Sequence, residues 1–166
     1  MRIQYENISK EIENSKFSYS DYKVDSPGFS KIAASIYNLH VNYKEHIIYV
    51  KNELGHQNLG RVEVQLDKRL PEFKISNTNH FVNLFLRKKN ILKVTCKNHS
   101  FKKFLEQKLI ELNLEKIAKE SLFEPEIYNV FERNAMKIIT TYHLQFDNKT
   151  APIQPLVNLY KSLIDY

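Results

Sequence analysis

Apolar and polar residues alternate most clearly from Ile91 to Cys96. Leu92, Val94 and Cys96 point one way and Ile91, Lys93 and Thr95 the other, the period of two that a pleated backbone imposes. A strand is predicted there. Ser100 follows at the place of an N-cap, its hydroxyl able to accept from a backbone N–H that the first helical turn leaves unpaired, so a helix should start at Phe101. At about 100° per residue, Phe101, Phe104, Leu105, Leu109 and Leu112 gather on one side, and Ile110, Leu114 and Ile117 on nearly the opposite side. This phase change predicts two helical pieces meeting at Asn113, a residue that tolerates a left-handed C-cap.

Other segments read in the same way. Tyr5, Ile8 and Ile12 give a short amphipathic helix at the domain's edge, and the Ser, Tyr and Asp residues from Ser15 to Ser30, with Pro27-Gly28, read as a surface loop. Ser30 to Asn38 fits either a short helix or the approach to a strand through Val41. Strand patterns then follow at His46–Leu54, Arg61–Asp67 and Glu72–Ser76, which predict an antiparallel meander. Val82, Leu84 and Leu86 lie across Arg87-Lys-Lys-Asn90 from the Ile91 strand, a hairpin spacing. Glu126–Arg133 is a further strand. Lys137–Phe146 is a stronger one, whose β-branched and aromatic content suits a central position. After Pro152 and Pro155, the spacing of Ile153, Val157, Tyr160 and Ile164 predicts a terminal helix docked on the sheet. The expected architecture is α+β, a largely antiparallel sheet of a meander plus C-terminal strands, with helices packed mainly on one face of a single domain spanning 1–166.

Length supports this picture. A chain of 166 residues with 42% hydrophobic and 12% aromatic content can bury a sizeable core rich in Phe and Tyr. One cysteine, Cys96, excludes an intramolecular disulfide, and the opening residues lack the apolar run of a secretory signal, so the cytoplasm is the expected compartment. No apolar run approaches the roughly 20 residues of a transmembrane segment.

Few motifs carry chemistry. There are three glycines, Gly28, Gly55 and Gly60, and phosphate cradles built from backbone need several. Gly55 to Gly60 has the outer spacing of a P-loop, but Arg61 stands for its lysine and Val62 for its hydroxyl, so a hairpin loop is the simpler reading. Cys96 and His99 have the spacing of half a zinc site without the other half. For thiol catalysis, Cys96 lies on the strand face expected to be buried, where a thiol is inert. The carboxylate pairs Asp21/Asp25 and Glu124/Glu126 would need a shielded cleft for acid–base work. No catalytic residue, metal site or cofactor is assigned, and a small enzyme using Glu124, Glu126 and His143 ranks third among the functional readings.

Charge changes the picture more. The chain carries a net +6, and from Arg87 to Lys119 ten Lys or Arg face three Glu, so the excess belongs to that region. The candidate anion or nucleic-acid surface is Arg87, Lys88, Lys89, Lys93, Lys97, Ser100, Lys102 and Lys103. Lys102 and Lys103 oppose the dipole at a helix start, which an anion bound there would offset. A hairpin tip roughly 20 Å from that start would require a polyanion to span both groups. With no catalytic constellation, the leading expectation is a non-enzymatic binding or assembly domain contacting a protein partner or a second copy of itself. Nucleic-acid binding through residues 87–119 is the alternative.

Overall fold

The computed structural model describes residues 1–25, 31–78 and 91–166. In chain order they form α1 (Arg2–Glu11), β1 (Ser15–Asp25), β2 (Lys31–Tyr43), β3 (His46–Leu54), β4 (Leu59–Leu66), β5 (Phe73–Asn77), β6 (Leu92–Cys96), α2 (His99–Glu111), α3 (Leu114–Glu120), β7 (Glu126–Glu132), β8 (Ala135–His143) and α4 (Ile153–Asp165). The strands make one antiparallel sheet in the order β1-β2-β3-β4-β8-β7-β5-β6. This is the α+β arrangement predicted, with the helices on one face.

Three expectations need correction. Ser15–Asp25 is not a loop but β1, paired with β2 along its whole length. Its Phe17 and Tyr19 pack against the core, which outweighs the turn propensity of its Ser and Asp residues. The meander runs through β1 to β4 and then stops, because β8 and β7 enter between β4 and β5. β8 suits that central place: Ile138, Thr140 and Tyr142 are buried on one face and Ile139 on the other. Finally, Ser100 is not the N-cap. Asn98 accepts from the Phe101 N–H at 2.9 Å, and the helix begins at His99.

Other readings hold. Ser30–Asn38 resolves towards the strand reading, since β2 begins at Lys31. α2 and α3 meet at Asn113, which is left-handed at φ 58°. The Pro27-Gly28 turn, the hairpin partner Val82–Leu86 and the hairpin tip fall outside the described residues. Among the described residues, β6 pairs with β5.

The core lies between the sheet and the helices. α4 buries seven side chains, including Ile153, Val157, Tyr160 and Ile164. The Tyr160 hydroxyl donates to the Val62 carbonyl at 2.8 Å and meets the Thr140 hydroxyl at 2.9 Å, so the polar end of the helix's largest side chain is satisfied beneath β4 and β8. At the far end of α4, Asp165 accepts from Tyr43 at 2.8 Å and pairs with Lys44, and Lys68 donates to the Ile164 carbonyl at 2.6 Å. α1 is tied down by a second buried group: Tyr142 donates to Asn52 Oδ1 at 2.8 Å while Asn52 Nδ2 donates to the Tyr5 hydroxyl. Burial pushes the hydroxyls of Tyr5, Tyr142 and Tyr160 above the usual tyrosine range, so all three stay neutral.

Candidate binding surface

Among the described residues, helices cover one face of the sheet, so the other face is the one offered to a partner. Residues paired in register share a face, and the ladders trace one unbroken row across all eight strands: Lys16, His40, Tyr49, Glu63, Ile139, Tyr128, Lys74 and Thr95. At about 4.8 Å per strand step the row is roughly 34 Å long. Most of it is exposed or half-buried; Ile139, 7% exposed, is enclosed by the side chains around it. Tyr49 is 41% exposed and its ring meets that of His40 edge-on at 4.9 Å.

Cations flank this row. Lys51 and Arg61 stand directly opposite one another on β3 and β4, a like-charge pair that costs stability unless something neutralises it. Arg61 is neutralised by Glu63 at 2.8 Å, and Lys74 by Glu126. Among the described residues, Lys16, Lys51, Lys93 and Lys137 on this face have no carboxylate within ion-pair distance. Two further carboxylates belong to the face. Glu132 is exposed at the end of β7. Glu53 is buried at the end of β3, where burial pushes its carboxyl up but the Tyr22 hydroxyl, the Gln57 N–H at 3.4 Å, Lys51 and His56 together hold it below the usual range.

At one end the row runs into a cleft of about 790 Å³ between β7, β5 and β6. It exists because β5 and β7 pair through only Lys74↔Tyr128 and Ile75↔Ile127 before diverging. Beyond that point the Asn129 carboxamide replaces the ladder, accepting from the Phe73 N–H at 2.9 Å and donating to the Pro71 carbonyl at 3.0 Å. Lys74, Thr95, Glu126 and Tyr128 of the open face line the cleft, and Lys97, Asn98 and Cys96 close it.

The predicted basic region is thus divided. Lys93 is on the open face, and Lys97 lines the cleft together with Glu72 and Glu126, without an ion pair to a described carboxylate. Ser100 and Lys103 are exposed in the first turns of α2, and Lys102 sits 3.7 Å from Glu106. Asn98 already satisfies a donor of that helix start. Arg87, Lys88 and Lys89 fall outside the described residues. The sequence reading missed Lys16, Lys51, Lys137, Tyr49 and Tyr128. They occupy the polar phase of each strand, which by itself reads as an ordinary solvated face.

Asp21, Asp25 and Glu126 are each held by another side chain, while Glu126 and His143 share the open face, since Glu126 stands opposite Thr141 on β8. Asp21 accepts from Ser35 at 2.6 Å and from Tyr19, which together hold its carboxyl below the usual range, while Asp25 pairs with Lys31 at 3.8 Å. Glu126 is held by Lys74. The Gly55–Gly60 loop is a hairpin, with Gly55 at φ 101° donating to Asn58 at 3.0 Å. Cys96 is half-buried rather than sealed in the core, because it stands where the cleft opens. Among the described residues, no cluster of three or more His, Cys, Asp or Glu is placed to hold a metal ion, and no helix is long and apolar enough to cross a membrane.

No protein-family model matches this chain, and no curated protein or solved structure shows significant similarity to it.

Proposed function

We propose that the protein is a non-enzymatic nucleic-acid-binding domain whose partner seats on the open face of its sheet. The observation that carries this reading is the set of four lysines, Lys16, Lys51, Lys93 and Lys137, that share that face without an ion pair to a described carboxylate, Lys51 acting on Glu53 only from beyond pairing distance. Each lysine placed against a phosphate releases counterions, which is the main source of affinity for a polyanion. Interface cores between proteins are instead depleted in charged residues, above all lysine. A protein partner is the second reading. It is supported by Ile47, 40% exposed beside Tyr49 on β3.

Binding of a labelled oligonucleotide, followed by anisotropy across a salt series, tests the proposal. Lys51→Glu with Lys137→Glu should weaken binding and flatten the dependence of log K on log salt by about 1.4, at roughly 0.7 per single-strand contact. Lys102→Glu with Lys103→Glu, on the helical side, should leave both unchanged. No binding at low salt, or equal losses from the two pairs, would reject this assignment of the surface.

A further inference from the structure

We infer that the nucleic acid taken by this face is single-stranded, that it crosses the strands along the row from Lys16 to Thr95, and that its bases stack on Tyr49 and Tyr128. The inference rests on the nucleic-acid reading above and specifies its ligand.

Tyr49 and Tyr128 belong to one row, separated by Glu63 and Ile139. Three strand steps place them about 14 Å apart. That gap is about four nucleotides at the 3.4 Å rise of a stacked strand, and fewer once the strand is drawn out. Between the rings, Ile139 is apolar and enclosed by its neighbours, and Glu63 is drawn aside to Arg61 at 2.8 Å. The Tyr49 ring meets that of His40 edge-on at 4.9 Å, a contact that favours one orientation of the ring.

The cations suit a strand threaded between them. Lys51 lies one row to one side of Tyr49 and Lys137 one row to the other side of Ile139, so phosphates can be met on both flanks of a line of bases. A duplex keeps its base faces inside its own stack and would use the lysines while leaving both rings idle. Aromatic platforms in a cationic track are how single strands are held without regard to sequence. The cleft at the β5–β7 divergence adjoins one end of the row; Tyr128 and Lys97 line it with Glu72 and with Glu126, the latter paired to Lys74.

The test compares deoxy and ribo oligonucleotides of about 12 nucleotides with a duplex of the same length, at one salt concentration, for the full chain and its variants. Single strands should bind more tightly than the duplex. Tyr49→Leu and Tyr128→Leu should each weaken single-strand binding about ten-fold and leave duplex binding unchanged. Tyr49→Phe and Tyr128→Phe keep the ring and should keep the affinity, which separates loss of stacking from loss of fold. Duplex binding as tight as single-strand binding, with the leucine variants neutral, would overturn the inference while sparing the nucleic-acid reading. Failure of every oligonucleotide to bind would overturn both.

Discussion

The ring of Tyr142 occupies the space in which residue 60 would carry a β-carbon. A carbon built there on Gly60 would lie 2.2 Å from the ring and 2.7 Å from Asn52 Oδ1, in the middle of the buried Tyr5–Asn52–Tyr142 group. Gly60→Ala should therefore force that group apart. Overpacking of this kind costs about 1–3 kcal/mol, and more where a buried donor or acceptor also loses its partner. A fall of roughly 2–12 °C in melting temperature is expected by calorimetry. An unchanged melting temperature would mean that the ring moves aside freely.

The Asp165 contacts give the fold a dependence on acid. Lys44 and, after it, Tyr43 hold the Asp165 carboxyl below the usual aspartate range. A lowered native pKa contributes stability that is complete above the unfolded value, near 4, and is lost as pH falls through the native value. Both partners are well exposed, so the contribution is on the order of 0.2–1 kcal/mol. Asp165→Asn should be slightly less stable than the parent at pH 7, and the two melting curves should converge below about pH 4. A constant gap at all pH values would assign the loss to something other than the charge.

Cys96 offers a reporter of the cleft. Half-buried at its mouth, it should react with a thiol reagent in the native protein, more slowly than after unfolding. Bound single strand should slow it further. Labelling unaffected by a saturating oligonucleotide would place the strand's end elsewhere.

How much of this could be read beforehand depends on where the physical cause resides. The break at Asn113 is local, because a phase change in the apolar stripe coincides with a residue that adopts φ 58° at little cost. β8 is legible for the same reason, since its burial on both faces is written in its own β-branched residues. β1 is not. As an edge strand it is half-exposed, and Phe17 and Tyr19 occupy one phase while Tyr22 and Val24 occupy the other, so no single alternation runs through it. Ser100 was displaced by Asn98, an equally good cap two positions earlier, and local sequence does not choose between them. The binding surface is harder still. Tyr49 and Tyr128 become neighbours on a row only through the registers of β3, β4, β8 and β7, which are long-range.

The insertion of β8 beside β4 also sets a schedule for synthesis. Val62 pairs early with Val50 on β3, but the other edge of β4 is closed only when Thr140 and Ile138 of β8 meet Val62 and Val64. At about 5–20 residues per second, the ribosome takes several seconds to supply the roughly 70 residues between β4 and β8. Throughout that interval a hydrophobic strand is present with one edge open to any other nascent chain. The fold's vulnerable moment thus falls during translation.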